Sequence, residues 1–454
     1  MIGFLHTVFA FVLAIAVLVV VHEFGHYWVA KTLGVKVLRF SIGFGRPLWM
    51  RRFGRDQTEL VLAAIPLGGY VKMLDENEGK VAKKDLARAF NRQSLAKRAA
   101  IVLAGPLFNF LFAILAYWLL FSIGTEGTKP VVGKVVDNSI AAHAGFETGD
   151  ELLSVAGKPV ASWEQRRLYL FKQALDKKTV AVEVRDAHGQ LSTRHLDLSG
   201  LSADQVSTGL LEKGLGLYPY TPETPPVLDY LKEQGAGAKG GLRKGDRVIA
   251  IDTKPMDIWE EVRATIHANP GRVLNFTIER DGGRLNVAVT PDKVEEAGEQ
   301  VGRIGAGPLI PEYPAHMRVW TRLDPLTALS ESAQTTWLMS ALTLKMLGKM
   351  IALEVSTKTI SGPITIAQYA GYSAQAGWDR FLMFLAAVSI SLGVLNLLPV
   401  PVLDGGHLLV YVIEAIKGGP LSERTLQWGQ QIGIMLLFAL MSLAFYNDFA
   451  RILQ

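Results

Sequence analysis

The sequence predicts a multi-pass α-helical membrane protein with four transmembrane helices and a duplicated α+β insert between the second and third. Three segments, Ile2 to Val21, Ala99 to Ile123 and Phe381 to Leu403, contain no Asp, Glu, Lys or Arg, and each supplies the roughly 20 apolar residues that a bilayer core requires. A fourth, Trp428 to Tyr446, carries two glutamines near its start and is otherwise apolar. Between the second and third spans the chain repeats itself, Pro130, Val131, Gly145, Gly149, Asp150, Pro159 and Trp163 matching Pro226, Val227, Gly241, Gly245, Asp246, Pro255 and Trp259 at a constant offset of 96. A hydrophobic content of 49% and a mean hydropathy of +0.23 agree with this class.

The first span runs into residues 1–30 without a Lys or Arg before Lys31 and without a small-residue cleavage site, so it is expected to be retained rather than removed as a secretory signal. Residues 31–98 hold 15 Lys/Arg against 6 Asp/Glu, seven of the basic residues lying between Lys80 and Arg98. By the positive-inside rule this loop is cytoplasmic. The N-terminus and the insert then lie outside, residues 408–427 return to the cytoplasm, and the tail 447–454 is outside again. Within the basic loop, Thr58 to Ile65 and Gly69 to Met73 read as a hairpin of apolar strands, whose exposed edge could pair with an extended substrate or simply cover the cytoplasmic face.

Each copy of the repeat, expected over 124–220 and 221–310, reads as a strand, a short helix, a Gly-Asp turn, a second strand (Glu151 to Val155; Arg247 to Ile251), a helix and a further strand (Thr179 to Arg185; Val273 to Arg280). Each closes with a glycine strand, Leu215-Gly216-Leu217 and Ile304-Gly305-Ala306. Residues 311–380 follow as a connector, in which Met317 to Leu353 is apolar at helical spacing but interrupted by Arg318, Arg322, Lys345, Lys349 and Pro325. A pair of amphipathic helices lying on the membrane surface is expected there.

Cysteine is absent, which excludes disulfides, thiolate zinc sites, iron–sulfur clusters and a cysteine nucleophile, so a metal must use His, Asp or Glu. The formal charge is +5 and no basic stripe with interleaved aromatics occurs, so nucleic acid is not an expected partner. The first span ends in His22-Glu23-Phe24-Gly25-His26. On a helix, positions i and i+4 share a face, so His22 and His26 can present two imidazoles to one metal with Glu23 beside them. Zn²⁺ in such a site lowers the pKa of a bound water toward ~7, and Glu23 is placed to take its proton. Ionisable groups this close to hydrocarbon are expensive unless they have a task. A third ligand is needed. Asp404, the first charge after the third span's uncharged run, is preferred to His407 because it completes a two-histidine, one-carboxylate set, although an Asp before Gly405-Gly406 could also be a helix cap. In the second span, Gly105-Pro106 precedes Asn109, an amide that could support the oxyanion or the zinc water, or make a plain interhelical hydrogen bond.

The Ala-Gly-x-x-x-Gly-Asp turn, Ala144 to Asp150 in the first copy, followed by alternating apolar residues resembles the PDZ domain in its permuted bacterial form, with the peptide-binding glycine strand last. That makes Leu215, Gly216, Leu217, Ile304, Gly305 and Ala306 groove candidates for a peptide or a new C-terminus. His22-Glu23-Phe24-Gly25-His26, the run Asn396-Leu-Leu-Pro399-Val-Pro401-Val-Leu-Asp404-Gly405-Gly406, and tandem PDZ-like domains between spans two and three together resemble the site-2 protease family of intramembrane zinc proteases over essentially the whole chain. The resemblance implies one Zn²⁺ on His22, His26 and Asp404, Glu23 as catalytic base, and a substrate site shaped by Asn396, Pro399 and Pro401. It implies a bacterial inner-membrane enzyme, its active site toward the cytoplasm and its PDZ pair in the periplasm as a size filter. Its substrates would be single-span membrane proteins of anti-sigma-factor type after a first cleavage, and remnant signal peptides. Two other readings remain open from the sequence: a non-catalytic membrane receptor or scaffold displaying PDZ domains around a structural zinc, and a membrane-anchored protease that cuts soluble cytoplasmic chains.

Overall fold

The computed structural model describes residues 2–163, 170, 173, 178–201, 210–296, 299–355 and 360–453. Four of its helices are long and apolar enough to cross a membrane, by length and composition. The first is α1 (Ile2–Thr32). Its run of valines would favour a strand in water, but in lipid each backbone N–H and C=O must be satisfied within the segment, and only the helix does that locally.

After α1, strands β1 (Val37–Phe53) and β2 (Thr58–Met73) form one sheet. The hairpin expected between Thr58 to Ile65 and Gly69 to Met73 does not form. Both segments belong to β2, which folds around β1 so that Arg39 to Ile42 lie beside Glu59 to Leu62 and also beside Lys72 to Gly69. The distal half of β1, Pro47 to Phe53, pairs back on Ala63 to Thr58. The sequence marked the two apolar segments that make up β2 but not β1, the strand they pair with.

The second long helix, α2 (Leu95–Ile123), contains Pro106. It packs on α1 at a close approach: a Cβ on Gly25 would lie 2.4 Å from the Ala104 carbonyl oxygen, the kind of contact that small residues permit between membrane helices. Strand β3 (Thr125–Thr128) leaves α2 and belongs to neither repeat.

Two α+β units of one design follow. The first contains β4 (Val132–Val135), α3 (Ile140–His143), β5 (Glu151–Val155), β6 (Lys158–Pro159), β7 (Thr179–Arg185), β8 (Leu191–Asp197) and β9 (Leu217–Pro219). The second contains β10 (Leu228–Leu231), α4 (Ala236–Lys239), β11 (Arg247–Ile251), β12 (Lys254–Pro255), α5 (Trp259–His267), β13 (Leu274–Arg280), β14 (Gly283–Val289), a hairpin of β15 (Asp292–Glu296) and β16 (Glu299–Arg303), and β17 (Ala306–Pro308). Their four-stranded sheets have the orders β6-β5-β7-β8 and β12-β11-β13-β14, and their short sheets pair β4 with β9 and β10 with β17. The offset of 96 persists in the hydrogen bonds: Leu152 N–H donates to Pro130 and Gly149 N–H to Val132, as Val248 does to Pro226 and Gly245 to Leu228. The helix expected after β6 in the first unit falls largely outside the described residues.

Strand β18 (Arg318–Thr321) pairs antiparallel with β3, Arg318 opposite Thr128 and Thr321 opposite Thr125. The insert therefore leaves and re-enters the helical body through a two-stranded neck. Met317 to Leu353 is not a pair of helices but β18 followed by one helix, α6 (Pro325–Ile351). Pro325 starts that helix rather than breaking it, since its missing N–H is harmless in the first turn, and Asp324 caps the N–H groups of Leu326 and Thr327. Leu342 of α6 joins the core of the first unit, with Leu338 and Met346 packed against it.

A shorter helix, α7 (Pro363–Ala376), precedes the third span, α8 (Trp378–Asn396). The third span was expected to reach Leu403, but the helix ends at Asn396, because the residue before Pro399 disfavours the helical region and Pro399 has no N–H to continue the ladder. After seven irregular residues, α9 (Asp404–Lys417) begins. The last helix, α10 (Glu423–Leu453), absorbs the expected tail.

Candidate metal centre

His22 and His26 stand one turn apart near the end of α1, their ring centroids 4.8 Å apart and their planes at 84°. Nδ1 of His26 lies 2.8 Å from the carbonyl oxygen of Ile101 on α2. A carbonyl only accepts, so Nδ1 carries the hydrogen and Nε2 keeps its lone pair. Nε2 of His26 lies 3.2 Å from Nε2 of His22.

Asp404 reaches these nitrogens from the first residue of α9. Its Oδ2 is 3.2 Å from His22 Nε2 and 3.5 Å from His26 Nε2. The turn that delivers it is tightly built. A Cβ on Gly405 would meet the Leu398 carbonyl at 2.1 Å and one on Gly406 the Val400 carbonyl at 2.4 Å, so only glycine lets the chain fold back onto its own helix start. Val402 sits at φ 97°, a left-handed value that a β-branched residue adopts only under constraint. Asp404 does not cap the helix: the N-cap is Leu403, without a side-chain hydrogen bond.

Three donor atoms thus face one point at separations of 3.2–3.5 Å. Ligands about 2.05 Å from a tetrahedral zinc stand roughly 3.3 Å apart, so the set fits that ion. Asp404 Oδ2 is buried without a hydrogen-bond partner, and its lone pairs face the same point as the two imidazoles, as the ligands of one cation would. Among the described residues, this is the one group of His and acidic side chains placed to share a metal.

The surroundings of the ligands come from α2. Gly105 leaves the space they occupy, since a Cβ there would lie 2.3 Å from His26 Nε2 and 2.8 Å from His22 Cε1. Asn109, fully buried, brings its side-chain amide to 3.2 Å from His22 Nδ1 while its Oδ1 has no partner. A zinc-binding Nε2 requires hydrogen on Nδ1, which only the amide oxygen can accept. Because amide oxygen and nitrogen are distinguished by their hydrogen bonds alone, Asn109 is read with Oδ1 toward His22. The contact is the interhelical hydrogen bond that the sequence left open for Asn109, here made to His22; the space that Gly105 leaves for the imidazoles was not visible in the sequence.

Glu23, His22, His26 and Asp404 line one cavity of about 370 Å³ with Tyr70, Val71, Asn396, His407 and Tyr411. A Cβ on Gly69 would come within 3.3 Å of Glu23 Cγ and Val71 lines the same cavity, so β2 lies directly against the glutamate. Asn396 is in the cavity wall, whereas Pro399 and Pro401 are not among its lining residues. Pro401 instead packs on α10, where a Cβ on Gly433 would overlap its carbonyl oxygen. The groove candidates divide. Leu215 and Leu217 are fully buried in the first unit's core. Ile304, Gly305 and Ala306 border an open cavity of about 660 Å³ in the second, opposite Trp259 and Arg263 of α5.

Two histidines and a glutamate on a membrane-length helix, met by a carboxylate at the start of α9, define the class as a membrane metallopeptidase. The profile of Peptidase family M50 matches residues 10–440, and the chain belongs to that family. It is 44% identical over 452 residues to the regulator of sigma-E protease RseP of Salmonella typhimurium and 43% identical over 457 residues to that of Escherichia coli, covering 100% of both chains in each case. A Vibrio cholerae protein provisionally named a zinc metalloprotease is 41% identical over 445 residues, 98% of each chain. The chain is a zinc metalloprotease of the site-2 type, and the non-catalytic receptor reading falls.

Proposed function

We propose that this chain is an intramembrane endopeptidase of the bacterial inner membrane that cuts within or near the transmembrane segment of single-span proteins already shortened by an earlier cleavage. Anti-sigma-factor-type proteins are the first substrate class and remnant signal peptides the second. The convergence of His22 and His26 from a membrane-length helix with Asp404 from the start of α9, beside Glu23 in one cavity, carries this reading.

His22, His26 and Asp404 would hold a zinc ion. Bound there, zinc supplies Lewis acidity and an acidified water at neutral pH. Glu23, lying against β2, would accept the proton of the attacking water on its carboxylate and return it to the leaving amine. A substrate helix must unwind first, because its peptide groups are satisfied internally and freeing them in lipid costs several kcal/mol each. The Asn396 amide can take up one freed group. The irregular turn containing Pro399 and Pro401 keeps non-helical backbone beside the cavity, where water can reach it.

The basic loop supports a cytoplasmic face for this site and a periplasmic face for the insert. There the two units act as a PDZ pair that excludes substrates still carrying a bulky exterior domain. The glycine strand at Ile304 to Ala306 borders the groove that a peptide or new C-terminus would enter.

The test is cleavage of a membrane-anchored, pre-trimmed reporter by wild type and Glu23→Gln, beside a reporter stripped of its hydrophobic segment. Loss of a general base costs about 10²–10⁴-fold in rate. Undiminished cleavage by Glu23→Gln overturns the catalytic role, and equal cutting of the stripped reporter favours a protease of soluble cytoplasmic chains.

A further inference from the structure

One stripe of α2 backs the whole metal centre. Reading up the helix at spacings of three, four and four, Arg98 faces α9, the carbonyl of Ile101 holds His26, Gly105 makes room for both imidazoles, and Asn109 holds His22. Three of these act on the histidines of α1. The fourth acts on the helix that carries the carboxylate.

Asp404 needs such an anchor. The seven irregular residues before it mean that α8 does not fix the direction of α9 through a continuous helix. On α9, Asp404, Tyr411 and Glu414 share one face, at i, i+7 and i+10. Arg98 Nη2 lies 3.3 Å from Glu414 Oε2, and its guanidinium carbon is 4.9 Å from the centroid of the Tyr411 ring. The Glu414 side chain is only 10% exposed, and its second oxygen accepts the Leu421 N–H. Tyr411 is also part of the catalytic cavity wall. The guanidinium thus grips α9 twice, by charge-assisted hydrogen bonding and by stacking, interactions that a planar cation can make together.

We propose that Arg98 is a positioning residue for the metal centre: through Glu414 and Tyr411 it sets α9 so that the Asp404 carboxylate meets His22 and His26. This rests on the ligand assignment above. Arg98 touches neither substrate nor metal, and its effect is on how well the third ligand reaches the ion. Changes in the residues that orient metal ligands cost about 10–100-fold in affinity.

The experiment uses the full-length chain in detergent. Zinc affinity is measured by competition with a chromogenic chelator, and ligand geometry by the visible absorption of the Co²⁺-substituted protein. Arg98→Ala and the isosteric Glu414→Gln are expected to weaken zinc binding by about 10–100-fold and to move the cobalt bands toward those of Asp404→Ala. The charge swap Arg98→Glu with Glu414→Arg is expected to restore most of the affinity. Should Arg98→Ala fail to fold, Glu414→Gln gives the reading. Wild-type affinity and an unchanged cobalt spectrum in both single variants overturn the proposal, as does a folded swap that recovers nothing. Wild-type zinc affinity in Asp404→Ala would instead overturn the ligand assignment beneath it, whatever the Arg98 variants do.

Discussion

Nε2 of His22 lies 3.2 Å from Oδ2 of Asp404, joining the first membrane-length helix to the turn that follows the third. That contact depends on Gly105, which leaves room for both imidazoles, and on glycine at three further places. Gly25 brings α1 against α2, and Gly405 and Gly406 fold the chain before Asp404 onto the start of α9.

Gly105→Ala should empty the metal centre without unfolding the helices. Alanine suits a helix interior better than glycine by roughly 0.8–1 kcal/mol, but its methyl would press on the His26 imidazole. Expected are a zinc content well below one per chain and lost reporter cleavage, with thermal unfolding close to that of metal-free wild type. Full zinc occupancy would contradict the close packing.

Substitutions at Asn109 separate its two amide orientations. Asn109→Asp keeps an acceptor for the His22 Nδ1–H and should hold zinc nearly as well as wild type, while Asn109→Ala should weaken binding by about 10–100-fold. Chelator competition distinguishes the two, and a worse loss in the aspartate variant would mean that the amide N–H faces the ring.

Asp448 on α10 ties down the start of α7. Its carboxylate accepts the N–H groups of Gly362, Ile364 and Thr365 and the Thr365 hydroxyl, and the residue is 1% exposed. Asp448→Ala leaves those donors unpaired, at about 1–3 kcal/mol for such a group. A lowered unfolding temperature and faster amide exchange at residues 362–365 are the expected readings.

In the turn between β1 and β2, Asp56 accepts bonds from Arg88 and Lys31. Chiefly the Arg88 guanidinium, helped by Lys31 and opposed by burial, holds its carboxyl well below the usual carboxylate range. A depressed folded value stabilises the protein above the ordinary carboxylate pKa, and that gain disappears as pH falls through the depressed one. Asp56→Asn should therefore lower the unfolding midpoint at pH 7, and the gap to wild type should shrink progressively below about pH 4. A gap independent of pH would assign the loss to packing.

The sequence showed the four long helices because lipid leaves an apolar segment few alternatives. It also marked His22, His26 and Asp404, which the structure brings together, because they interrupt or end uncharged runs. It did not show where α8 stops, since Leu397 to Leu403 count as apolar while Pro399 decides the backbone. The wrapping of β2 around β1 was hidden for another reason. The apolar runs of β2 report a strand but not its partner, and Arg39 to Ile42 of the unexpected β1 pair with it twice. Gly105, the carbonyl of Ile101 and the Arg98–Glu414 pair carry no local signal, because their meaning comes from a neighbour far away in the chain.

The neck of β3 and β18 makes the duplicated insert a side branch rather than a link in the chain of helices. Its two ends are joined residue by residue from Thr125 with Thr321 to Thr128 with Arg318, so α2 and α6 are already stapled together before the branch begins. Pulling or crowding the branch can therefore reach the catalytic helices by two routes, this staple and the seam where the first unit's core meets Leu342. Substitutions within the metal centre and within the insert are therefore separated by a boundary that few residues share.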